Sequence, residues 1–218
     1  MPAGKRKQQS IAMSKFLASL SLLALGLAAA ASPLGRREDV PGCFQWSFIG
    51  FSTAPNFTLA AYNTSDLLSD NPIGAPLVLG QAGAIAGDEF HVLSTYASYP
   101  YDQDQTWSLQ KGALLPNNQT AAVAGGPVAD GTEPSWITGL DAGVSAQIWC
   151  AVPSTSAHGG GTGYPALAVN GDINSFALCK TGDSPLAQNN VVYKPSPDSY
   201  SYLFDTCYNV TVQIVETY

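Results

Sequence analysis

From Cys43 onward, apolar and polar residues alternate with period two in short runs, and Gly, Pro and Asn punctuate them. Successive side chains of a strand point to opposite faces, so this spacing builds half-buried strands; a helix needs a period of 3.6. The runs fall at residues 44–48, 57–62, 76–79, 90–96, 107–109, 136–138, 146–150, 166–169, 176–179, 191–193 and 208–215. Eleven or twelve strands in one domain, many at the roughly 8–12-residue spacing of sandwiches and barrels, make an all-β fold the expectation. Gln110-Lys111-Gly112 and Asn170-Gly171 each separate two short apolar runs, which is the hairpin signal that calls for left-handed backbone. The same pair of segments carries a loose echo, Trp107…Gly112…Leu114 and Leu167…Gly171…Ile173. The echo favours a β-trefoil-like arrangement over a two-sheet sandwich.

The first residues have a different grammar. Lys5, Arg6, Lys7 and Lys15 give a basic start, and an apolar run from 16 to 31 closes on Ala28-Ala-Ala-Ala31. Sixteen residues fall short of the roughly 20 that span a bilayer as a helix, and small residues with Pro33 sit at the exit, so residues 1–31 read as a signal peptide. Residues 32–37 read as a short pro-segment ending in the dibasic pair Arg36-Arg37. Residues 38–218 are then a single extracellular domain.

Removing the leader changes the charge. Six of the nine Lys and Arg lie within residues 1–37, whereas all sixteen Asp and Glu lie beyond it, leaving Lys111, Lys180 and Lys194 and a formal charge of −13. A chain this acidic, with no Arg, repels phosphate backbones and anionic membranes and lacks the usual phosphate clamp. Nucleic acid is excluded as a partner. The chain ends Ile214-Val-Glu-Thr-Tyr218, without the hydrophobic tail of a lipid-anchor signal, and no membrane anchor is expected.

Four cysteines, Cys43, Cys150, Cys179 and Cys207, all lie in the mature part and read as two disulfides with three possible connectivities. The expected pairs are Cys43–Cys207, tying the first strand to the last, and Cys150–Cys179, closing a local loop. No two cysteines stand at metal-ligand spacing, so no metal is expected. Sequons at Asn56, Asn63, Asn118 and Asn209 mark candidate glycosylation sites, Asn209 inside an apparent strand being the least expected to be occupied.

Catalytic signatures are thin. Gly143-Val-Ser145-Ala-Gln147 misses the closing Gly of a nucleophile elbow, and His158-Gly159-Gly160-Gly161 resembles an oxyanion loop with no elbow to serve. His91, beside Phe90 in a strand, reads as a satisfied or outward-facing histidine. No catalytic residue and no cofactor are assigned. One cluster stands out, Tyr96-Ala-Ser-Tyr99-Pro-Tyr101-Asp102-Gln-Asp104-Gln-Thr-Trp107. Aromatic faces stack on pyranose rings while Asp accepts hydroxyl hydrogen bonds, so Tyr96, Tyr99, Tyr101, Asp102, Asp104 and Trp107 form the candidate ligand site. Asp102 and Asp104 also suit paired-carboxylate hydrolysis or a calcium ion, and the whole segment suits a surface loop capping the core.

Several segments together resemble a group of small secreted fungal proteins, especially those of mushroom-forming species. These are Gly74-Ala-Pro-Leu-Val-Leu-Gly-Gln-Ala-Gly-Ala-Ile85, Ser94-Thr-Tyr-Ala-Ser-Tyr-Pro-Tyr101, Phe176-Ala-Leu-Cys179 with Asn190-Val-Val-Tyr193, and Thr206-Cys-Tyr-Asn-Val-Thr-Val-Gln-Ile-Val215. The similarity covers nearly the whole mature chain. More distantly, the layout of leader, Gly-turned strands and cysteines near both ends resembles the phialide-type cell-wall proteins. The resemblance implies an extracellular or wall-associated protein and brings no catalytic residues. The expectation is therefore a secreted, non-enzymatic fungal glycoprotein of the cell wall or extracellular matrix that binds carbohydrate, with a cell-wall polysaccharide as candidate partner. A protein-binding module (protease inhibitor or effector, with an extracellular protein as partner) comes second, and a glycoside hydrolase third.

Overall fold

Two-residue turns order the first half of the sheet. Lys111 and Gly112 both hold positive φ, at 49° and 81°, and join β4 (Trp107–Gln110) to β5 (Ala113–Pro116) as a tight hairpin. This left-handed pair matches the right-handed twist of the strands it connects. Ala86 and Gly87 do the same between β2 (Ala75–Ile85) and β3 (Asp88–Thr95). That turn escapes a sequence reading because Ala seldom adopts positive φ.

The computed structural model describes residues 41–46, 48–65, 71–101, 105–117, 119–139, 142–154 and 162–216, all within one compact unit, Arg37–Tyr218. The leader and pro-segment lie outside the described residues, as do Asn118, Asp102, Asp104 and the His158-Gly-Gly-Gly161 stretch.

The fold is all-β. Strands β1 (Ala54–Asn63), β2, β3, β11 (Asn189–Tyr193), β10 (Phe176–Lys180) and β12 (Tyr208–Glu216) pair in that order, and β12 returns to β1 to close a six-stranded barrel. Three hairpins flank it. The β4–β5 hairpin extends from β1, and β6 (Ala122–Gly125) with β7 (Ser135–Gly139) from β3. The third, β8 (Trp149–Val152) with β9 (Ala166–Val169), joins β12. The hairpins follow one another along the chain between β3 and β10. Barrel closure leaves the six barrel strands without a free edge, which removes the usual template for strand-to-strand aggregation.

Inward rows of Phe57-Leu59-Ala61, Leu77-Leu79, Phe176-Leu178, Val191-Tyr193 and Val210-Val212-Ile214 fill one continuous core. A row of rings runs through it. Trp107, Trp136, Trp149, Phe176 and Tyr193 follow one another with centroids 5.0, 6.4, 6.4 and 5.8 Å apart. Trp136 Nε1 donates to Leu114 O at 2.8 Å, so its polar edge is met inside the core.

Three local expectations are corrected. The run expected at 44–48 opens in a 3₁₀ helix instead of a strand: Pro41–Trp46 forms that helix. Pro41 cannot donate a ladder hydrogen bond, and Gly42 lies so close to Ile148 that a Cβ would collide with its carbonyl. Asn170 and Gly171 do turn in left-handed conformation, but the strands on either side do not pair. The turn closes only the bridge Val169↔Asp172, while β9 pairs with β8 and β12, and β10 with β11 and β12.

The disulfides are Cys43–Cys150 and Cys179–Cys207, not the expected pairs. The 3₁₀ segment carrying Cys43 packs on β8, which carries Cys150, and that contact sets their sulfurs together. Register supplies the other bridge: Leu178 pairs with Tyr208, which sets the flanking Cys179 and Cys207 side by side with Cα atoms 4.2 Å apart.

The barrel's seam between β3 and β11 has a single Cα pair, Asn190↔Ser94, and side chains reinforce it. Ser94 Oγ lies 2.5 Å from Asn190 Oδ1 and 2.8 Å from Gln188 Oε1 and donates to one at a time. Asn190 Nδ2 donates to Glu133 Oε1 at 2.7 Å, and Gln188 Nε2 to Gln81 O at 2.8 Å. Ser94 and Asn190 are buried, so each unmet group here would cost about 1–3 kcal/mol.

Burial raises the Glu133 carboxyl above its ordinary value of 4.5, outweighing hydrogen bonds from Asn190 and Ser201. A raised folded-state value adds stability that is complete at low pH and disappears as pH rises through that value. Glu133→Gln should therefore abolish a loss of stability that the wild type suffers between pH 4.5 and neutrality, read from urea midpoints across that range. Removing the local bridge by Cys179→Ser with Cys207→Ser should cost about 2–4 kcal/mol in urea denaturation, since it frees a short loop in the unfolded chain.

Candidate functional site

The inward rows of β2 and β3 change character as they leave the core. On β2, Leu77 and Leu79 lead to Gln81; on β3, Leu93 leads back to His91 and Glu89. Alternation keeps each row on one face, and register sets Gln81 opposite His91. The polar ends of these rows floor a groove of about 240 Å3, walled by Tyr99, Tyr101 and Gln119.

Each wall has a local reason. Tyr99 N donates to Thr95 O at 3.0 Å, a turn that bends the chain back directly after β3. Tyr101 packs edge-on against Tyr99, with centroids 5.0 Å apart and planes at 71°. Tyr101 is 82% exposed, so its ring faces solvent. His91 is buried, its Nε2 3.0 Å from Thr138 Oγ1 and 3.5 Å from Glu89 Oε2. The groove thus offers two phenol rings, the amides of Gln81 and Gln119, an imidazole and one carboxylate. Such a set can hold a hydroxyl-rich ring by its edges while a tyrosine covers its apolar face.

Of the six candidate residues, Tyr99 and Tyr101 meet here. Tyr96 lies elsewhere, in a cleft with Gln105, Pro76, Leu77 and Ile73. Trp107 is not a surface ring: it is fully buried as the first ring of the core row, its Nε1 without an acceptor among the described residues. It shares an inward face with Leu109, two residues on, and that alternation was the sign of burial. Asp102 and Asp104 lie outside the described residues, and the carboxylate at the groove is Glu89. Sequence reasoning passed over Glu89, Gln81 and Gln119. Glu89 and Gln81 carry a signal, being polar residues that end inward rows; Gln119 carries none.

Ser145, of the elbow-like segment, accepts a hydrogen bond from Gly125 N at 3.1 Å and so works as a loop fastener. A second polar groove, of about 340 Å3, is lined by Gln45, Trp46, Asp172, Asn174, Tyr193 and Lys194. Gly171 O accepts from Trp46 Nε1 at 2.9 Å and holds the indole in place. Burial pushes the Asp172 carboxyl up, but hydrogen bonds from Ser175 and Asn174 prevail, and it sits below its ordinary value as a fixed anion. Lys194 answers with an ion pair to Asp130 at 3.1 Å.

No protein-family model, curated protein or solved structure matches the chain. Among the described residues, no group of three or more His, Cys, Asp or Glu gathers to hold a metal ion, and no helix is long and apolar enough to cross a membrane.

Trp107→Ala should lower stability by about 3–5 kcal/mol, the cost of emptying a large buried ring. Tyr101→Ala should stay within about 0.5 kcal/mol of wild type, as exposed substitutions do. Thermal and urea unfolding of both variants would separate the core ring from the groove ring.

Proposed function

We propose that this chain is an exported, non-enzymatic fungal glycoprotein of the cell wall or extracellular matrix that binds carbohydrate in the Tyr99–Tyr101 groove. The observation that carries this reading is the pairing of an exposed aromatic edge with the row of Gln81, Glu89, His91 and Gln119. At about 240 Å3 the groove is smaller than the roughly 300–1,000 Å3 of sites that enclose drug-sized ligands, which suits one ring of a longer polymer. The charge of the mature chain favours a neutral polysaccharide over a polyuronate. Glycosidic cleavage needs two carboxylates across the bond, and among the described residues the groove is lined by Glu89 alone, which favours binding over hydrolysis. Two disulfides and the leader suit an oxidising, extracellular setting. The resemblance to small secreted fungal proteins points the same way.

A second reading, a protein-binding module, draws on one observation: Phe44 and Phe48 are 72% and 92% exposed, a costly display without a partner.

The test is to incubate residues 38–218 with insoluble chitin, β-glucan and cellulose and to measure what stays in solution. Saturable depletion by one of them is expected, with Tyr101→Ala weakening it about tenfold, equivalent to roughly 1.4 kcal/mol of lost contact. A protein that remains wholly soluble with all three overturns the carbohydrate reading.

A further inference from the structure

The polar groove at Trp46 shares no lining residue with the tyrosine groove, and three segments converge to build it. Gln45 and Trp46 come from the 3₁₀ turn that the Cys43–Cys150 bridge pins to β8. Asn170, Asp172 and Asn174 come from the turn between β9 and β10, in which Asn170 and Gly171 hold φ at 52° and 82°. A Cβ on Gly171 would stand 2.9 Å from the Gln45 side chain, so glycine lets these two segments meet. Tyr193, the last residue of β11, and Lys194 after it complete the groove.

We infer that this groove is a second saccharide site, taking one neutral, hydroxyl-rich ring between the Trp46 indole and the Asp172 carboxylate. Trp46 packs against the Cys43–Cys150 cluster and also lines the groove, so its ring is backed by protein and held by the bond from Nε1 to Gly171 O. A backed indole suits the apolar C–H face of a sugar. A carboxylate accepts about four hydrogen bonds. Asp172 Oδ1 accepts from Asn174 N at 2.8 Å, while Oδ2 accepts from Ser175 Oγ at 2.5 Å and from the Tyr193 hydroxyl at 3.4 Å. Oδ1 therefore keeps an acceptor position for a ligand hydroxyl. Charge narrows the choice further. An anion would meet Asp172 and Asp130, and a cation would have to displace Lys194, which already pairs with Asp130 and lies close enough to act on Asp172. A neutral ring escapes both conflicts. At about 340 Å3 the groove falls within the roughly 300–1,000 Å3 of small-molecule sites.

The site shares its ligand class with the carbohydrate reading, on which it rests, and one experiment separates the two. Of the four tryptophans, Trp107, Trp136 and Trp149 are 2% exposed or less and Trp46 is partly exposed, so acrylamide quenching of the purified protein reads Trp46. Trp46→Phe, which should lose most of the quenchable fluorescence, checks that assignment. Neutral tetrasaccharides of chitin, β-1,3-glucan and cellulose are added singly, with spermidine and a tetragalacturonate as charged probes. One neutral tetrasaccharide should suppress quenching saturably, and neither charged probe should. Asp172→Asn should raise the half-saturating concentration about tenfold. Gln45→Ala, which removes an exposed side chain, should raise it as well, whereas Tyr101→Ala should leave it unchanged. Suppression that neither Asp172→Asn nor Gln45→Ala alters, or that Tyr101→Ala abolishes, overturns the inference, as does suppression by a charged probe instead. No suppression, while an insoluble polysaccharide still depletes the protein through Tyr101, overturns it and leaves the carbohydrate reading standing. Neither suppression nor depletion overturns both.

Discussion

The structure depends on one row of rings. Each flanking hairpin sends one tryptophan into the core: Trp107 from β4, Trp136 from β7 and Trp149 from β8. Phe176 and Tyr193 continue the row into barrel strands β10 and β11. An isolated two-stranded hairpin is marginal in water, so none of the three would stand alone. Aromatic pairs add about 0.5–1.5 kcal/mol beyond their area, and the row supplies four in series. Main-chain bonds tighten it: Leu114 O accepts from Trp136 Nε1, and Gly112 O from Trp149 N, so the first hairpin holds both others. The disulfide at Cys150, next to Trp149, then ties the third hairpin to the start of the domain.

The candidate groove sits where this packing gives out. A closed barrel fills its interior with inward-facing side chains, and a row can turn polar only where it runs past the packed layer. The Leu93-His91-Glu89 row makes that change over two steps, from buried carbon to a buried imidazole to an exposed carboxylate. His91 can be buried there because Thr138, on the neighbouring β7, meets its ring nitrogen. The groove therefore has a floor of strand residues and a wall of loop tyrosines, the division by which a scaffold positions binding loops.

How much of this was legible varies with the range of the interaction. Period two is local, and ten of the expected runs fall on strands of the barrel and hairpins; β6, written Ala122-Val-Ala-Gly125, has too little contrast between its faces to be read. Residues 44–48 alternate equally well, yet Pro41 and the bridge to Cys150 impose a helical turn. The disulfide pairing needed to know that β10 and β12 are neighbours, a fact no spacing encodes. At the site, Tyr99 and Tyr101 were legible as loop aromatics. Trp107 was misread because its place in an alternating run was weighed less than its place beside the tyrosines. Glu89 and Gln81 become meaningful only once β2–β3 register sets their rows together.

Size and charge together decide what the groove is suited to do. On the carbohydrate reading, a groove with room for about one ring beside a solvent-exposed tyrosine would make a single weak contact. Weakness is no handicap if the ligand is a polymer, since every repeat offers the same ring and a released protein is recaptured by the next. On that reading the acidic mature chain would keep copies apart on such a polymer. On the carbohydrate reading, retention at a wall follows from many brief contacts to one repeating sugar, and a rigid barrel end is enough to provide them.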